Sequence, residues 1–210
     1  MSSWLLRLYL DRVEAKATAS LEVANRVIYV WKGSVTLRAS GQVATLAENS
    51  AWYGPVACEA MGGAHGVTLL RWELTRERSP AGAGLTHEAR VDLDAGAHIM
   101  RCDRVDFPLG GIAYTHVHQG PGIRLLLSGE IRVEVSGHAR TIEPGQAWFE
   151  TGPDPVIAFA SKEQPTSFAR CMILPLVLRG KSSIRYVKAE DADKPKTQQY
   201  QLFVDEPIAI

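Results

Sequence analysis

Apolar and polar residues alternate with a period of two over much of this chain. The clearest case is Glu130 to Val135, where Ile131, Val133 and Val135 are apolar and Glu130, Arg132 and Glu134 are charged. In a strand, successive side chains point to opposite faces, so this pattern predicts a half-buried strand. Before it lies Leu125-Leu126-Leu127, closed by Ser128-Gly129, and together they read as strand, tight turn, strand. Short runs of the same kind, rich in Val, Tyr, Trp and Thr, fill Leu21 to Trp72 between glycines at 33, 41, 54, 62, 63 and 66. A second such block runs from Ala89 to Leu178. Near the N-terminus Trp4, Leu6, Leu8 and Leu10 alternate and predict a strand; a helix through Leu6, Leu10 and Val13 is the alternative. No long, capped helical pattern occurs before residue 80. The stretch after Tyr186 begins polar and charged and ends with Tyr200, Leu202 and Val204 in alternation, which predicts a surface excursion followed by a short docked strand.

The pattern repeats. At an offset of 96 (129 − 33), Ile28–Tyr53 falls on Arg124–Phe149 without a gap. Gly33 meets Gly129, Ser40-Gly41 meets Ser136-Gly137, Thr45 meets Thr141, and Ala51-Trp52 meets Ala147-Trp148. Apolar positions agree between these identities: Val35 with Ile131, Leu37 with Val133, Leu46 with Ile142. Matching turns and matching alternation point to duplication of one β unit. A unit of short antiparallel strands closes into a barrel or a two-sheet jelly roll, which manages its edge strands and encloses a space for a ligand. Ser79–Gly84, SPAGAG, is the small-residue break best suited to join the halves. The expected organisation is therefore an N-terminal barrel over 1–80, a C-terminal barrel over 81–185 and a tail over 186–210.

Composition narrows the function. The 210 residues carry 23 basic and 23 acidic side chains, with a pI near 7.0, and no basic stripe predicts a nucleic-acid partner. No apolar run approaches the length of a membrane span, and charges at Arg7, Asp11, Arg12 and Glu14 interrupt any signal-peptide core, so a cytoplasmic protein is expected. Cys58, Cys102 and Cys171 are odd in number and irregularly spaced, which fits reduced, buried thiols. The partner that remains is a small molecule, with a homodimer compatible.

The candidate chemistry sits at His116 and His118. Two apart on a strand, they project to one face and can aim at one point. Polar alternation on a wet face is the plain alternative. Tyr114 has the same parity and is carried as a catalytic candidate; its plain reading is a half-buried strand aromatic. His65, His87, His98 and His138 fall outside any ligand pattern and read as surface or loop residues.

Gly110-Gly111, His116-Val117-His118 and Gly129, followed by Pro144-Gly145 and Ala147-Trp148-Phe149, resemble the two short motifs of the cupin superfamily. With the repeat, the chain looks like a bicupin, all-β, with two antiparallel β-barrels of jelly-roll type. The resemblance covers about residues 21–178. It implies a divalent transition metal, Fe(II) first, with Zn, Mn, Ni or Cu as alternatives. Only His116 and His118 carry over as ligands: the usual glutamate position is Gly122, and no histidine follows Pro144-Gly145. Glu150 enters the loop that would hold that histidine and is the third candidate ligand, which would complete a two-histidine, one-carboxylate set typical of non-haem iron(II) oxygenases. A surface carboxylate is its plain alternative. Asp154, between two prolines, is a weaker candidate, and Gln119 could lend an amide. Arg124 shares parity with position 122, so it should face the interior, either paired with Glu150 or awaiting a substrate carboxylate or phosphate. The same offset puts Ser20, Glu22, Ile28 and Gly54 against His116, His118, Arg124 and Glu150, so the N-terminal copy should lack the site. The expected function is a metal-dependent enzyme acting on a small molecule, anionic if Arg124 anchors it. Oxygenase-type chemistry comes first, with isomerase or lyase chemistry open. The alternative is a non-catalytic, small-molecule-binding or sensory bicupin. A purely structural assembly protein is third, and the histidine pair argues against it.

Overall fold

The computed structural model describes residues 2–76 and 80–210, and it is almost entirely antiparallel β-structure. It divides into two compact units, residues 1–97 with 208–210, and residues 98–207. In the first unit the strands are β1 (Ser2–Val13), β2 (Thr18–Leu21), β3 (Asn25–Ala39), β4 (Gln42–Ala47), β5 (Ala51–Gly54), β6 (Cys58–Arg76) and β7 (Leu85–Leu93). They form one sheet in the order β4-β3-β6-β1-β7, with β2 on β6 and β5 on β3. The alternative of an N-terminal helix is thereby replaced by a twelve-residue strand.

The second unit contains β8 (His98–Phe107), β9 (Ile112–His118), β10 (Gly122–Ser128), β11 (Ile131–Val135), β12 (His138–Ile142), β13 (Ala147–Glu150), β14 (Val156–Ala160), β15 (Thr166–Pro175), β16 (Ile184–Tyr186) and β17 (Gln199–Ile208). They form two five-stranded sheets, β13-β10-β15-β8-β17 and β12-β11-β14-β9-β16. A four-residue helix, Ala189–Ala192, lies in the excursion before β17. Among the described residues no helix is long and apolar enough to cross a membrane.

The two units share one plan. β3 pairs β5 with Arg26 opposite Gly54 and Ile28 opposite Trp52; β10 pairs β13 with Gly122 opposite Glu150 and Arg124 opposite Trp148, at the same offset of 96. Ser40-Gly41 and Ser136-Gly137 both have positive φ at both residues, which a two-residue hairpin turn requires. Val35 and Leu37 pack in the core of the first unit, and Ile131 and Val133 in the core of the second. Where β3 runs unbroken through Gly33, the second unit breaks into β10 and β11 around Gly129. Both glycines have positive φ, +85° and +78°.

Three expectations change. Leu85–Leu93 pairs with β1, from Leu85 opposite Tyr9 to Leu93 opposite Ser2. The small-residue break is therefore a loop within the first unit, with Ser79 outside the described residues, and the units divide between 97 and 98 rather than 80 and 81. The tail over 186–210 is not separate: β17 extends the sheet of the second unit alongside β8. His98 is buried at the start of β8, opposite Pro175 on β15, rather than lying on the surface. All three cysteines are buried free thiols, as expected, and burial pushes Cys102 and Cys171 well above the usual thiol range.

A methyl group at position 129 would collide with Thr166 Oγ1 and lie 2.6 Å from the Pro165 carbonyl oxygen, whereas one at 137 would meet open space. Gly129→Ala should therefore cost more in denaturant unfolding than Gly137→Ala. The latter should lose only the left-handed backbone penalty, about 1–2 kcal/mol. Equal losses would show that the 128–130 turn relaxes freely.

Candidate metal and ligand site in the second unit

The site is built from four strands of one sheet and one strand of the other. Across β13, β10, β15 and β8 the register aligns Trp148, Arg124, Arg170 and Asp103 in a row. From the facing sheet, β9 supplies His116 and His118, both buried. The imidazoles stand edge to face, 4.8 Å apart at 86°, with their Nε2 atoms 3.2 Å apart. His116 Nδ1 lies 2.7 Å from the Tyr114 carbonyl oxygen, so the ring donates there and keeps its lone pair at Nε2. His118 Nδ1 lies 3.5 Å from Ser183 Oγ.

Glu150, the last residue of β13, stands directly opposite Gly122 on β10. A Cβ at 122 would sit 2.6 Å from Met172 Cγ and 2.7 Å from the Cys171 carbonyl oxygen, so no side chain fits there. A carboxylate reaches this point from the neighbouring strand. Trp148 Nε1–H donates to Glu150 Oε1 at 2.9 Å. Oε2 lies 3.4 Å from His118 Nε2 and 2.6 Å from Arg124 Nη2, yet neither Oε2 nor Nη2 has an aligned hydrogen bond. Arg124 Nη1 donates to the Gly122 carbonyl oxygen at 2.6 Å. Arg170 is held bidentately by Asp103, at 2.6 and 3.1 Å, and its Nη1 lies 3.4 Å from His118 Nε2.

These groups surround a cavity of about 20 Å³, room for one water or one ion. Donor atoms about 2.0–2.2 Å from a common ion, at tetrahedral to octahedral angles, lie roughly 3.0–3.5 Å apart. The Nε2–Nε2 and Nε2–Oε2 separations of 3.2 and 3.4 Å fall in that range, and Oε2 is a buried oxygen without a hydrogen bond. The donor set therefore fits a divalent ion. It is not closed, however: among the described residues no three His, Cys, Asp or Glu side chains already stand ready around one point, and Glu150 is the member engaged elsewhere.

Electrostatics keep the histidines neutral. Burial lowers His116, against the Tyr114 carbonyl; burial, then Arg170 and Arg124, lower His118 well below the usual imidazole range. Burial also lowers Arg124, to about 10, against the pull of Glu150. For Arg170 burial works the same way, but Asp103 outweighs it and the net shift is upward.

Two catalytic candidates move. The register of β9 on β14 slips between His116, opposite Val156, and Ala113, opposite Ala158. This bulge breaks the two-residue parity, so Ala113 shares the interior with the histidines while the Tyr114 ring lies under Lys194, at 4.9 Å. Tyr114 contributes its carbonyl, not its hydroxyl. Arg124 is fully buried and paired with Glu150, so it is the internal ion pair of the two roles open to it. Its space admits no organic anion. Asp154 binds Thr151 at the surface and Gln119 is exposed, so neither reaches the site.

A second cavity of about 370 Å³ adjoins the first and shares Arg170, Ile184 and Tyr200 with it. Its other walls include Lys181, Ser183, Tyr186, Lys196 and Gln198. Arg101, also in its wall, is spent on Asp205 and on the Leu178 and Lys181 carbonyls. Sequence reasoning missed Arg170, Asp103 and this whole 180–202 wall. Strands rich in opposite charges were visible, but their register was not.

No protein-family model matches the sequence, and no curated protein matches it. Solved structures share the fold at low identity. Oxalate decarboxylase from Bacillus subtilis superposes with a TM-score of 0.65 at 12% identity, over 90% of this chain and 72% of that one. A salicylate 1,2-dioxygenase from Pseudaminobacter salicylatoxidans gives 0.61 at 12%, over 86% and 74%. AerE from Microcystis aeruginosa gives 0.59 at 13%, over 83% and 88%. The fold is the jelly roll of cupin proteins.

Buried neutral histidines make stability depend on pH. Their folded pKa lies below 6.5, so below that value the unfolded chain binds more protons and folding weakens as pH falls. The thermal midpoint should drop between pH 7.5 and 5.5, and His118→Gln should flatten that drop. A pH profile unchanged by His118→Gln would place the linkage elsewhere.

Proposed function

We propose that the chain is a bicupin whose C-terminal barrel holds a divalent transition metal on His116, His118 and Glu150, and acts on a small organic anion in the adjoining cavity. The observation that carries the reading is the pair of donor separations, 3.2 and 3.4 Å, around a water-sized space beside a larger one. When bound, such an ion would supply Lewis acidity and open positions for a carbonyl or dioxygen, with Fe(II) and oxygenase-type chemistry first.

The protein's own residues have distinct tasks. The Tyr114 carbonyl fixes the His116 tautomer. Asp103 holds Arg170 rigid between the two cavities. Lys181 and Lys196 give the outer cavity a cationic lining that attracts an anion, while Tyr186, Tyr200 and Ile184 offer apolar walls. The volume of about 370 Å³ is near the lower bound of small-molecule sites and suits a compact ligand. A second reading, a non-catalytic binding protein, is favoured by one observation: Glu150 is already paired with Arg124.

Titration of the protein with Co²⁺ or Zn²⁺ tests the metal. One ion per chain is expected, with affinity falling at least about tenfold in His116→Ala and in His118→Ala. Binding unaffected by both substitutions would refute the assignment. Calorimetry with a panel of mono- and dicarboxylates tests the outer cavity. Replacing Lys181 and Lys196 together with Gln should weaken the best binder several-fold and reduce its salt dependence. A carboxylate bound equally by both proteins would place the ligand elsewhere.

A further inference from the structure

We infer that Arg124 is an internal cation that competes with the metal for Glu150, so that an ion completes its ligand set only when Arg124 releases Oε2. This rests on the metal reading above and concerns how that site is regulated.

Four observations meet on one oxygen. Trp148 Nε1–H donates to Oε1, whereas Oε2, the oxygen nearest both Arg124 and His118, accepts no aligned hydrogen bond. Arg124 Nη2 lies 2.6 Å from it, and His118 Nε2 lies 3.4 Å from it on the cavity side. The guanidinium is tethered by its other end, Nη1 on the Gly122 carbonyl, whereas the Nη2 contact has no aligned hydrogen bond. The half that blocks Oε2 is thus the half held by charge alone. Finally, the glycine at 122 leaves Nη1 its room: a Cβ there would lie 3.2 Å from Nη1, close enough to press on it. A side chain at 122 and an arginine reaching in from 124 would crowd each other.

Charge counting gives the direction. Arg124 and Arg170 balance Glu150 and Asp103. Asp103 is committed bidentately to Arg170 and cannot take over Arg124. A divalent ion therefore enters a neutral, buried cluster against an arginine that loses its carboxylate partner. Removing that arginine turns the cluster negative and leaves Glu150 free to ligate.

The test uses the full chain, with Co²⁺ and Zn²⁺ as probes and a chelator to set free metal, read by calorimetry and by the visible Co²⁺ spectrum. Arg124→Met should bind about tenfold or more tightly than wild type. The gain should vanish in Arg124→Met combined with Glu150→Gln, and Arg124→Lys, which keeps the charge, should gain less. Without metal, Arg124→Met should melt below wild type, and Zn²⁺ should raise its midpoint more than that of wild type. If Arg124→Met does not fold, Arg124→Gln carries the same expectation. Affinity equal to or below wild type in a folded Arg124 variant, with His116→Ala still abolishing binding, would overturn the inference alone. Binding indifferent to His116→Ala in every background would overturn the metal reading itself.

Discussion

The second unit is organised around one carboxylate. Glu150 gives one oxygen to the Trp148 indole and the other to a point between Arg124 and His118. Each contact locks a different part of the barrel: Trp148 sits in the apolar core beside Phe168, Arg124 reaches back to the Gly122 carbonyl, and His118 belongs to the facing sheet. Taking such charges out of water costs several kcal/mol each unless they are paired, so position, charge and packing at this point are interdependent.

The same constraint explains the neighbouring row. Arg170 and Arg124 face each other across β15 and β10, an arrangement that repels unless each finds its own carboxylate. Asp103 answers the first and Glu150 the second. The two pairs differ in quality. Arg170–Asp103 is bidentate and aligned, a wall between the cavities; Arg124–Glu150 is close but unaligned.

The two units show how one chain plan can be filled differently. In the second, Phe107 and Phe168 help reduce the interior to about 20 Å³. In the first, Asp11 stands at the position of Phe107, and Arg71, opposite Tyr9 as Phe168 is opposite Val105, binds it at 2.6 Å. Glu73 and Arg26 continue that chain of ion pairs, and a cavity of about 630 Å³ remains. The first unit lacks the histidine pair, as the repeat predicted, but it is hollow rather than packed solid.

By itself the sequence determined the strand content and the duplication, and it singled out His116, His118 and Glu150, which the fold brings together. Alternation is a local property, written into Ile131, Val133 and Val135 by what each residue does to its own strand. Turn chemistry is equally local, so Ser40-Gly41 and Ser136-Gly137 announced their hairpins and the offset between the units. His116, His118 and Glu150 were legible as a group because a spacing of two and a strand end are features of chain order. What tertiary structure decided is everything that depends on register between distant strands. The bulge between Ala113 and His116 turned Tyr114 away, and no residue type at those positions announces it. The row of Arg124, Arg170 and Asp103 exists only because β10, β15 and β8 align at those positions, and the outer cavity only because 180–202 folds over it. Local pattern constrains the direction of a side chain; which charge it meets is set by partners 46 to 52 residues away, as between Arg124 and Arg170 or His118 and Arg170.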